Sequence, residues 1–304
     1  MSARDLSASS LYARLAPWFE RAARDLPWRS AEFHARFGAW GVLVSETMLQ
    51  QTPVARVVPA LHDWLALWPT PTDLAAARPA DVLRQWSNLG YPRRALRLQQ
   101  AAVTIRDQHA GVVPEHIDDL LALPGVGDYT ARAVAVFAYG QRHPVVDINI
   151  RRVIARAVHG KAHPDAARRR DHDDMAALLP DDTARSVTVN AALMELGALV
   201  CTARTAWCEQ CPLSDCCTWR AAGFPDTGDR RPRQARYEGS DRQARGAVLK
   251  QLRESDGHDQ PESAVIAEWP DDAQRLRALH SLAQDGLIEL IDGRARLPMA
   301  ANSD

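Results

Sequence analysis

Through residue 222 the hydrophobic positions recur at the spacing of amphipathic helices, and no segment shows the sustained alternation of a strand. Helical spacing runs through the stretches LYARLAPWFERAARDL, FGAWGVLVSETMLQQ, PVARVVPALHDWLALW and ADVLRQWSNLG, each bounded by Pro, Gly or Thr. The stretch RRALRLQQAAVTIRDQHAG ends on a glycine, a residue that often terminates a helix. The pattern therefore predicts an all-α domain over residues 1–222.

The pattern changes after residue 222. Residues 223–240 are rich in Gly, Pro and charge, and we expect them to form a linker. Beyond them, RQARGAVLKQLRES and DDAQRLRALHSLAQDG have helical periodicity, and PESAVIAEW is expected to form a shorter helix between them. LIELIDGRARLP predicts a hairpin with Asp292-Gly293 at its turn. This order is that of a winged helix, so residues 241–304 are predicted to form a small α+β module that binds either DNA or a protein.

Composition narrows the class of protein. The chain has 304 residues and a formal net charge of −1, so overall charge does not indicate a polyanionic partner. No run approaches the roughly 18 apolar residues of a membrane span, and the N-terminus lacks the apolar core of a signal peptide. We expect a monomeric cytoplasmic protein that does not bind membranes.

Local charge is more informative than the total, because only Lys161 and Lys250 are lysines and arginine supplies the remaining positive charge. The arginines occur in clusters, which are Arg93, Arg94 and Arg97; Arg151, Arg152 and Arg156; and residues 230–245. Each cluster is either a solvated helix face or part of a surface for an anionic partner.

The most informative stretch is IDDLLALPGVGDYTARAVAVFAYG, residues 117–140. A helix is expected to run to Leu123 and a second to begin near Asp128, with Gly125, Val126 and Gly127 in the turn between them. Amides in such a turn, and at the N-terminus of the helix that follows it, can hold a phosphate without a positive side chain. The stretch predicts a helix-hairpin-helix motif.

An aspartate follows in HPVVDINIRRVIARAVHG. Asp147 directly precedes an amphipathic helix, so it could simply cap that helix. It also lies 20 residues after Gly127, which is the separation of a catalytic aspartate from the hairpin in one superfamily of DNA-repair enzymes.

All five cysteines lie in residues 201–217, and in a reducing compartment clustered cysteines favour a metal over disulfides. The spacing Cys201-x6-Cys208-x2-Cys211-x5-Cys217 leaves Cys216 outside the pattern. Four thiolates could hold an iron–sulfur cluster or a zinc ion.

Glu46 is the lone acid in an otherwise uncharged stretch from Phe37 to Val54. If it is buried, its pKa is raised, which suits a general acid. The alternative is a partly exposed helix residue.

The hairpin, the aspartate and the cysteine loop together resemble the helix-hairpin-helix DNA glycosylases of base-excision repair. The SETMLQQT stretch further resembles their adenine DNA glycosylases of the MutY type. The resemblance implies a fold of two helical subdomains and a [4Fe-4S] cluster on Cys201, Cys208, Cys211 and Cys217. The implied role of the cluster is structural, to pin its loop against the DNA backbone.

The resemblance also implies roles for single residues. Glu46 and Asp147 match the catalytic carboxylates, and Asn149 matches the asparagine that orients the aspartate. Gln50 and Gln51 match a polar pair that enters the duplex near the lesion.

In the adenine pocket, Trp28 and Arg29 match a segment that lines the pocket, and Glu195 matches an acidic residue that contacts the base. Tyr129 stands where the related strand-cleaving enzymes have a lysine, and no lysine occurs before Lys161. We therefore expect a monofunctional glycosylase that uses water.

The implied function is excision of adenine opposite 8-oxoguanine or guanine in double-stranded DNA. Two departures affect substrate detail: Ile148 replaces the usual glycine after the aspartate, and residues 241–304 are too short for the usual Nudix-like domain. The alternatives are a thymine or uracil mismatch glycosylase of the same fold, and a catalytically inactive DNA-binding iron–sulfur protein.

Overall fold

The computed structural model describes residues 6–228, 236–255 and 258–299, and in this part of the chain helices dominate. The α-helices are α1 (Ala8–Ala22), α2 (Ala31–Leu49), α3 (Val54–Leu67), α4 (Pro71–Ala76), α5 (Pro79–Trp86), α6 (Arg93–Gln108), α7 (Ile117–Ala122), α8 (Asp128–Phe137), α9 (Ile148–Ala157), α10 (Arg170–Leu178), α11 (Thr183–Leu199), α12 (Thr218–Ala221), α13 (Asp241–Glu254) and α14 (Asp272–Gln284). Single 3₁₀ turns occur at Pro27–Arg29, Cys208–Gln210 and Glu262–Ala264. The prediction that the chain is helical through residue 222 is confirmed.

Two of the predicted helices have other bounds. α1 begins after Ser7, whose side chain accepts a hydrogen bond from the Ser10 amide, and it ends four residues before Leu26. α2 begins upstream of its predicted start and bends at Gly38, where φ is 50°. A positive φ is readily adopted only by glycine, so the bend is fixed by the sequence.

One compact unit contains residues 6–42, 115–121 and 127–228. Its core forms where α1, α9, α10 and α11 pack together, and its fully buried members include Leu11, Leu15, Ile150, Met175 and Leu196. Leu213 and Cys216 from the cysteine loop pack into the same core. The loop is therefore anchored on the helices that carry Asp147 and Glu195.

The second compact unit contains residues 43–114, 122–126, 236–255 and 258–299. Trp64 of α3 and Trp86 of α5 are fully buried and meet edge to face, with ring centroids 5.5 Å apart. Leu83 of α5 is buried against Val248 of α13 and Leu279 of α14. The C-terminal helices thus share a hydrophobic core with α5.

The C-terminal segment also forms a small antiparallel sheet of β1 (Gln260–Pro261), β3 (Arg294–Arg296) and β2 (Glu289–Ile291), in that spatial order. The predicted hairpin is confirmed, because Asp292 and Gly293 have φ values of 51° and 71°, as a tight β2–β3 turn requires. The expected helix over PESAVIAEW is wrong. Gln260 pairs with Ala295, and only one 3₁₀ turn follows Pro261.

Part of the predicted linker, residues 229–235, lies outside the described residues. Its first residues are packed, since Phe224 meets the Trp219 ring edge to face and the His163 amide donates to the Thr227 carbonyl. Among the described residues, no helix is both long and apolar enough to cross a membrane.

Candidate active site

Glu46 lies in the last turn of α2 and is only 4% exposed. Ser45 and Met48, beside it in the chain, are fully buried. The predicted burial of Glu46 is confirmed, and the alternative of a partly exposed helix residue is wrong. Its catalytic role stays a prediction.

Directly after α2 the chain turns sharply at the two glutamines. Gln50 is half-buried, and Gln51 is exposed with a φ of 58°, a left-handed conformation that costs a non-glycine residue energy. Such strain persists only where neighbouring groups hold the backbone in place.

Arg94 of α6 holds this backbone in place by hydrogen bonds. Its Nη1 donates to the carbonyls of Thr47 (2.8 Å) and Met48 (3.1 Å), and its Nη2 donates to Thr52 Oγ1 (3.0 Å). Burial lowers the pKa of Arg94 to about 10. Arg94 was expected either on a solvated helix face or at an anion-binding surface, but its guanidinium instead ties together the end of α2. The sequence identified Arg94 only as a member of an arginine cluster and did not predict these contacts.

Gly125 and Val126 of the hairpin turn lie in the same unit as Arg94. Gly125 has a φ of 77°, and a Cβ on it would lie 2.7 Å from Arg97 Cβ, so both conformation and space require glycine. Gly125, Val126 and Gln50 contribute to the lining of one cleft of about 80 Å³. Gly127 is different: its φ of −95° is open to any residue and its surroundings have room for a side chain. Of the two glycines in the turn, only Gly125 has a conformation that favours glycine.

Asp147 caps α9 and is also bound by its neighbour. Its Oδ1 accepts the Ile150 amide (2.7 Å), and its Oδ2 accepts Asn149 Nδ2 (2.7 Å). Both interpretations of this aspartate, helix cap and partner of an orienting asparagine, therefore describe the structure. Burial raises the pKa of Asp147, and these hydrogen bonds oppose the rise without cancelling it.

Arg152 continues this network to the cysteine loop. Its Nη2 donates to Asn149 Oδ1 (2.8 Å) and to the Gly197 carbonyl (2.6 Å), and its Nε donates to the Cys201 carbonyl (2.7 Å). Gly197 must be glycine, because a Cβ there would lie 2.6 Å from Asn149 Cβ. A continuous chain of hydrogen bonds thus joins Asp147 to the first cysteine.

Arg156, one turn further along α9, serves the same loop. Its Nη1 donates to Cys201 Sγ (3.3 Å) and to the Thr202 carbonyl (2.8 Å), and its guanidinium stacks over the Trp219 ring at 4.7 Å. Arg152 and Arg156 are both buried, so for them a solvated helix face is wrong. Their four-residue spacing on an apolar helix was the available signal of this role.

The four cysteines of the predicted spacing influence one another. Burial, together with charge on each of the other three cysteines, raises the pKa of the Cys211 thiol to about 12. Burial also raises the pKa values of Cys208 and Cys217, with contributions from Cys201. Within the described ranges, no group of three or more His, Cys, Asp or Glu side chains is close enough to hold a metal ion.

Cys216 has a separate environment. It is 8% exposed, and its Sγ donates to the Leu213 carbonyl at 3.4 Å within the hydrophobic core. Burial raises the pKa of Cys216, and the charges acting on it come from Arg14, Asp215 and adjacent Cys217. The sequence-based separation of Cys216 from the other four agrees with this arrangement.

Glu195 lies in α11 and is 1% exposed. Its Oε1 accepts the amide (2.9 Å) and the Nε (2.8 Å) of Arg24, and its Oε2 accepts Nη2 of Arg24 (2.8 Å) and of Arg29 (2.9 Å). Burial alone would raise the pKa of Glu195, but these arginines hold it at about 2. Glu195 thereby fixes the 3₁₀ turn that carries half-buried Trp28, whose carbonyl contacts the His34 ring. The sequence missed Arg24, which lies 171 residues away along the chain.

Tyr129 lies in the first turn of α8 and is half-buried. Its ring packs against the cluster formed by Ala133, Val136 and Val145. The side chain is thus placed by the hairpin's second helix.

Comparison with known proteins identifies the family. Residues 44–172 match the model described as HhH-GPD superfamily base excision DNA repair protein. Over 284 residues the chain is 54% identical to the "Adenine DNA glycosylase" of Mycolicibacterium smegmatis, an alignment that covers 93% of this chain and 94% of that protein. The chain belongs to the adenine DNA glycosylases. It is accordingly a DNA glycosylase enzyme of base-excision repair.

Two further similarities concern the C-terminal segment and the fold of this adenine DNA glycosylase family member. The Mycobacterium tuberculosis "Adenine DNA glycosylase" is 51% identical over 97% of this chain and 94% of that protein, so the match extends into residues 241–304. The solved structure titled as a thermostable thymine-DNA glycosylase covers 71% of this chain and 97% of that one, at 24% identity with a TM-score of 0.63. At that identity the second similarity shows the fold alone.

The contacts of Glu195 predict a pH-dependent contribution to stability. Glu195→Gln should lower the free energy of unfolding at neutral pH by about 2–3 kcal/mol, because charge-assisted hydrogen bonds to two partly exposed arginines are weakened. The depressed pKa of Glu195 stabilises the fold above its usual value near 4.5, and this is lost as pH falls toward about 2. Urea unfolding at neutral and acidic pH should show the two proteins converging in acid.

The matched control is Glu32→Gln, an exposed acid in the first turn of α2. It should change the free energy of unfolding by less than about 0.5 kcal/mol. Equal losses in the two variants would show that Glu195 has no special structural role.

Proposed function

We propose that this enzyme hydrolyses the N-glycosidic bond of adenine paired with 8-oxoguanine or guanine in double-stranded DNA. The observation that carries the proposal is 54% identity, over nearly the whole chain, to a protein named adenine DNA glycosylase. The residues below supply the chemistry that such a reaction needs. A DNA substrate makes the nucleoid its expected place of action in the cell.

Breaking this bond requires that adenine becomes a better leaving group. It also requires that the positive charge that develops on the sugar is stabilised. We assign Glu46 as the general acid that protonates adenine at N7, since a buried carboxylic acid can retain its proton near neutral pH. We assign Asp147 as the carboxylate that stabilises the oxocarbenium-like sugar. Asn149 supports this role because its hydrogen bond favours the charged form of Asp147. The target base must first leave the helical stack.

Water is the proposed nucleophile. Tyr129 has no amine that could form a Schiff base with the sugar, and Lys161 is the first lysine of the chain. The enzyme should therefore release the base without cleaving the strand.

Three groups of residues are proposed to contact DNA. Exposed Gln51 and half-buried Gln50 enter the duplex near the lesion. The turn of Gly125, Val126 and Gly127 offers amides to a phosphate. Trp28 and Arg29 line the adenine pocket, and Glu195 contributes by fixing them. Residues 241–304 are proposed as a winged-helix-like module attached to the glycosylase domain of residues 1–222.

A [4Fe-4S] cluster is proposed for Cys201, Cys208, Cys211 and Cys217. The chemistry of the donor set supports the proposal, because charge on Cys201 contributes to the raised pKa values of Cys208, Cys211 and Cys217, and a cluster would relieve that repulsion by binding the thiolates. When bound, the cluster would supply structure to the loop. Arg152 and Arg156 position Cys201 by hydrogen bonds to its carbonyl and its Sγ.

A thymine or uracil mismatch glycosylase is the second candidate. It is favoured by one observation, 32% identity over 69% of this chain and 94% of that protein to the "Thymine-DNA glycosylase" of Aeropyrum pernix. The inactive-protein alternative is disfavoured by the presence of Glu46, Asp147 and Asn149 together.

Base release from defined mismatches tests the proposal. In single-turnover assays on duplexes with A:8-oxoG, A:G, T:G and U:G pairs, we expect free adenine from the first two and no strand cleavage. Glu46→Gln should abolish release and retain folding and DNA binding, because an amide cannot donate the acidic proton. Release of thymine or uracil would establish the second candidate, and unchanged turnover in the variant would remove Glu46 from the mechanism.

Adjacent cysteines offer a matched test of the cluster. Cys217→Ala should lose iron and sulfide from the purified protein, because a ligand is removed. Cys216→Ala should retain both iron and sulfide, since the Cys216 thiol donates a hydrogen bond to the Leu213 carbonyl instead. Metal and sulfide analysis decides between them. Zinc in place of iron, or equal loss in both variants, would contradict the assignment.

The raised pKa of Asp147 predicts the acid limb of the pH–rate profile. If the carboxylate form is required, activity should fall as pH drops through a pKa above the usual value near 3.8. Asn149→Leu removes a hydrogen bond that lowers this pKa, so the limb should move to higher pH. Single-turnover adenine release across pH provides the measurement. A limb that does not move would mean that Asn149 does not set the protonation of Asp147.

A further inference from the structure

The loop between α5 and α6 has an unusual backbone. Ser87 and Tyr91 both have a φ of 47°, and Gly90 has a φ of 80°. Left-handed conformations at two non-glycine residues cost roughly 1 kcal/mol or more each, so surrounding groups must hold this loop.

Side chains from three directions hold it through its carbonyl oxygens. The acceptor carbonyls and their donors are Ser87 with Arg253 Nη1, Asn88 with Arg56 Nη1, Leu89 with Thr52 Oγ1 and Arg94 Nη2, and Gly90 with Arg94 Nη2 and Trp86 Nε1. Four consecutive carbonyls thus accept hydrogen bonds from side chains. The position of each carbonyl sets where a donor can lie.

Two of those donors connect the loop to the segment that carries the glutamines. Arg94 shares its guanidinium between the loop carbonyls and the carbonyls of Thr47 and Met48, at the end of α2. Thr52 follows Gln51 directly and donates to the Leu89 carbonyl at 3.0 Å. Among the hydrogen bonds of the described residues, Arg94's acceptors are backbone carbonyls and the Thr52 hydroxyl, and none is a carboxylate. A displaced loop would therefore displace the backbone on either side of Gln50 and Gln51.

Another donor, Arg253, comes from the C-terminal segment. Arg253 lies at the end of α13 beside Leu252, which is buried in the core shared with Leu83 of α5. Burial lowers the pKa of Arg253, and in the described part of the chain its recorded acceptor is the Ser87 carbonyl. A half-buried guanidinium directed at one backbone carbonyl restricts the position of that carbonyl, because a hydrogen bond from a charged donor costs more to lose than one from a neutral donor.

A second contact joins the same two segments. Asp285, which follows α14, accepts Arg93 Nη1 of α6 on Oδ1 at 3.1 Å and Arg245 Nη2 of α13 on Oδ2. Arg93 adjoins Arg94, so both ends of the loop are connected to the C-terminal segment.

We propose that Arg253 is a positioning residue for mismatch recognition: through the Ser87 carbonyl it fixes residues 87–91, and through Thr52 and Arg94 that loop fixes Gln50 and Gln51. The C-terminal segment then acts on recognition from within the second unit, without a base contact of its own. The link to mismatch recognition rests on the proposed function. The mechanical coupling does not.

Hydrogen exchange in the full-length protein tests the coupling. Arg253→Gln should speed amide exchange about tenfold in peptides that contain Leu89 and Thr52, whose amides donate to the carbonyls of Trp86 and Leu49. Tenfold is the size expected for one lost charge-assisted hydrogen bond. Arg253→Lys keeps a donor and should give a smaller increase. It also preserves the test if the glutamine variant folds poorly.

Lys250→Gln is the control, because it removes a positive charge from an exposed position on the same helix. It should leave exchange in both peptides unchanged. Faster exchange confined to residues 241–299, or an equal effect of Lys250→Gln, would overturn the proposal.

Measurements of DNA affinity test the role of Arg253 in mismatch recognition. The ratio of affinities for A:G and A:T duplexes should fall about tenfold in Arg253→Gln, with thermal stability and the single-turnover rate at saturating enzyme close to wild type. An unchanged ratio would overturn the role in recognition. If wild type releases no adenine, the proposed function fails, but the exchange measurement still decides whether Arg253 controls the loop.

Discussion

Buried and half-buried guanidinium groups that donate to backbone carbonyls hold the irregular segments of this enzyme in place. Arg94 binds the end of α2, Arg152 and Arg156 bind the cysteine loop, and Arg253 binds the loop before α6. Carbonyls at helix ends and in loops lack helical partners, so they need donors from elsewhere. One arginine satisfies several at once, because its five N–H groups lie in a rigid plane.

This use of arginine gives the composition of the chain a physical meaning. Only two of its 37 basic residues are lysines. A lysine ammonium is compact and strongly hydrated, and it readily loses its proton when buried. Arginine stays charged even where burial lowers its pKa, as for Arg94 at about 10. The segments held in this way are those that regular hydrogen bonding cannot stabilise, and the residues proposed to contact DNA lie among them.

Local patterns in the sequence predicted much of the fold and part of the site. The hairpin at Gly125, the cap at Asp147, the burial of Glu46 and the Asp292-Gly293 turn all depend on neighbours within a few positions. The destination of a long side chain does not. Arg24 meets Glu195 across 171 residues, and Arg152 meets Cys201 across 49. The helix expected over PESAVIAEW failed for a similar reason, since its first residues, Pro261 and Glu262, pair with distant Arg294 and Gly293.

Two carboxylates of the first unit show how environment separates a structural acid from a chemical one. Glu195 and Asp147 both lose solvent, which by itself raises the pKa of each. Glu195 is bound by two guanidinium groups, so its pKa falls to about 2 and its charge is committed to the fold. Asp147 is bound by a backbone amide and by Asn149, which are neutral donors, and Arg152 reaches Asn149 rather than Asp147 itself. Its pKa therefore stays raised, and its charge is not neutralised by a direct cationic partner. A carboxylate kept in that condition can respond to a positive charge that develops beside it, which is what a sugar cation would require.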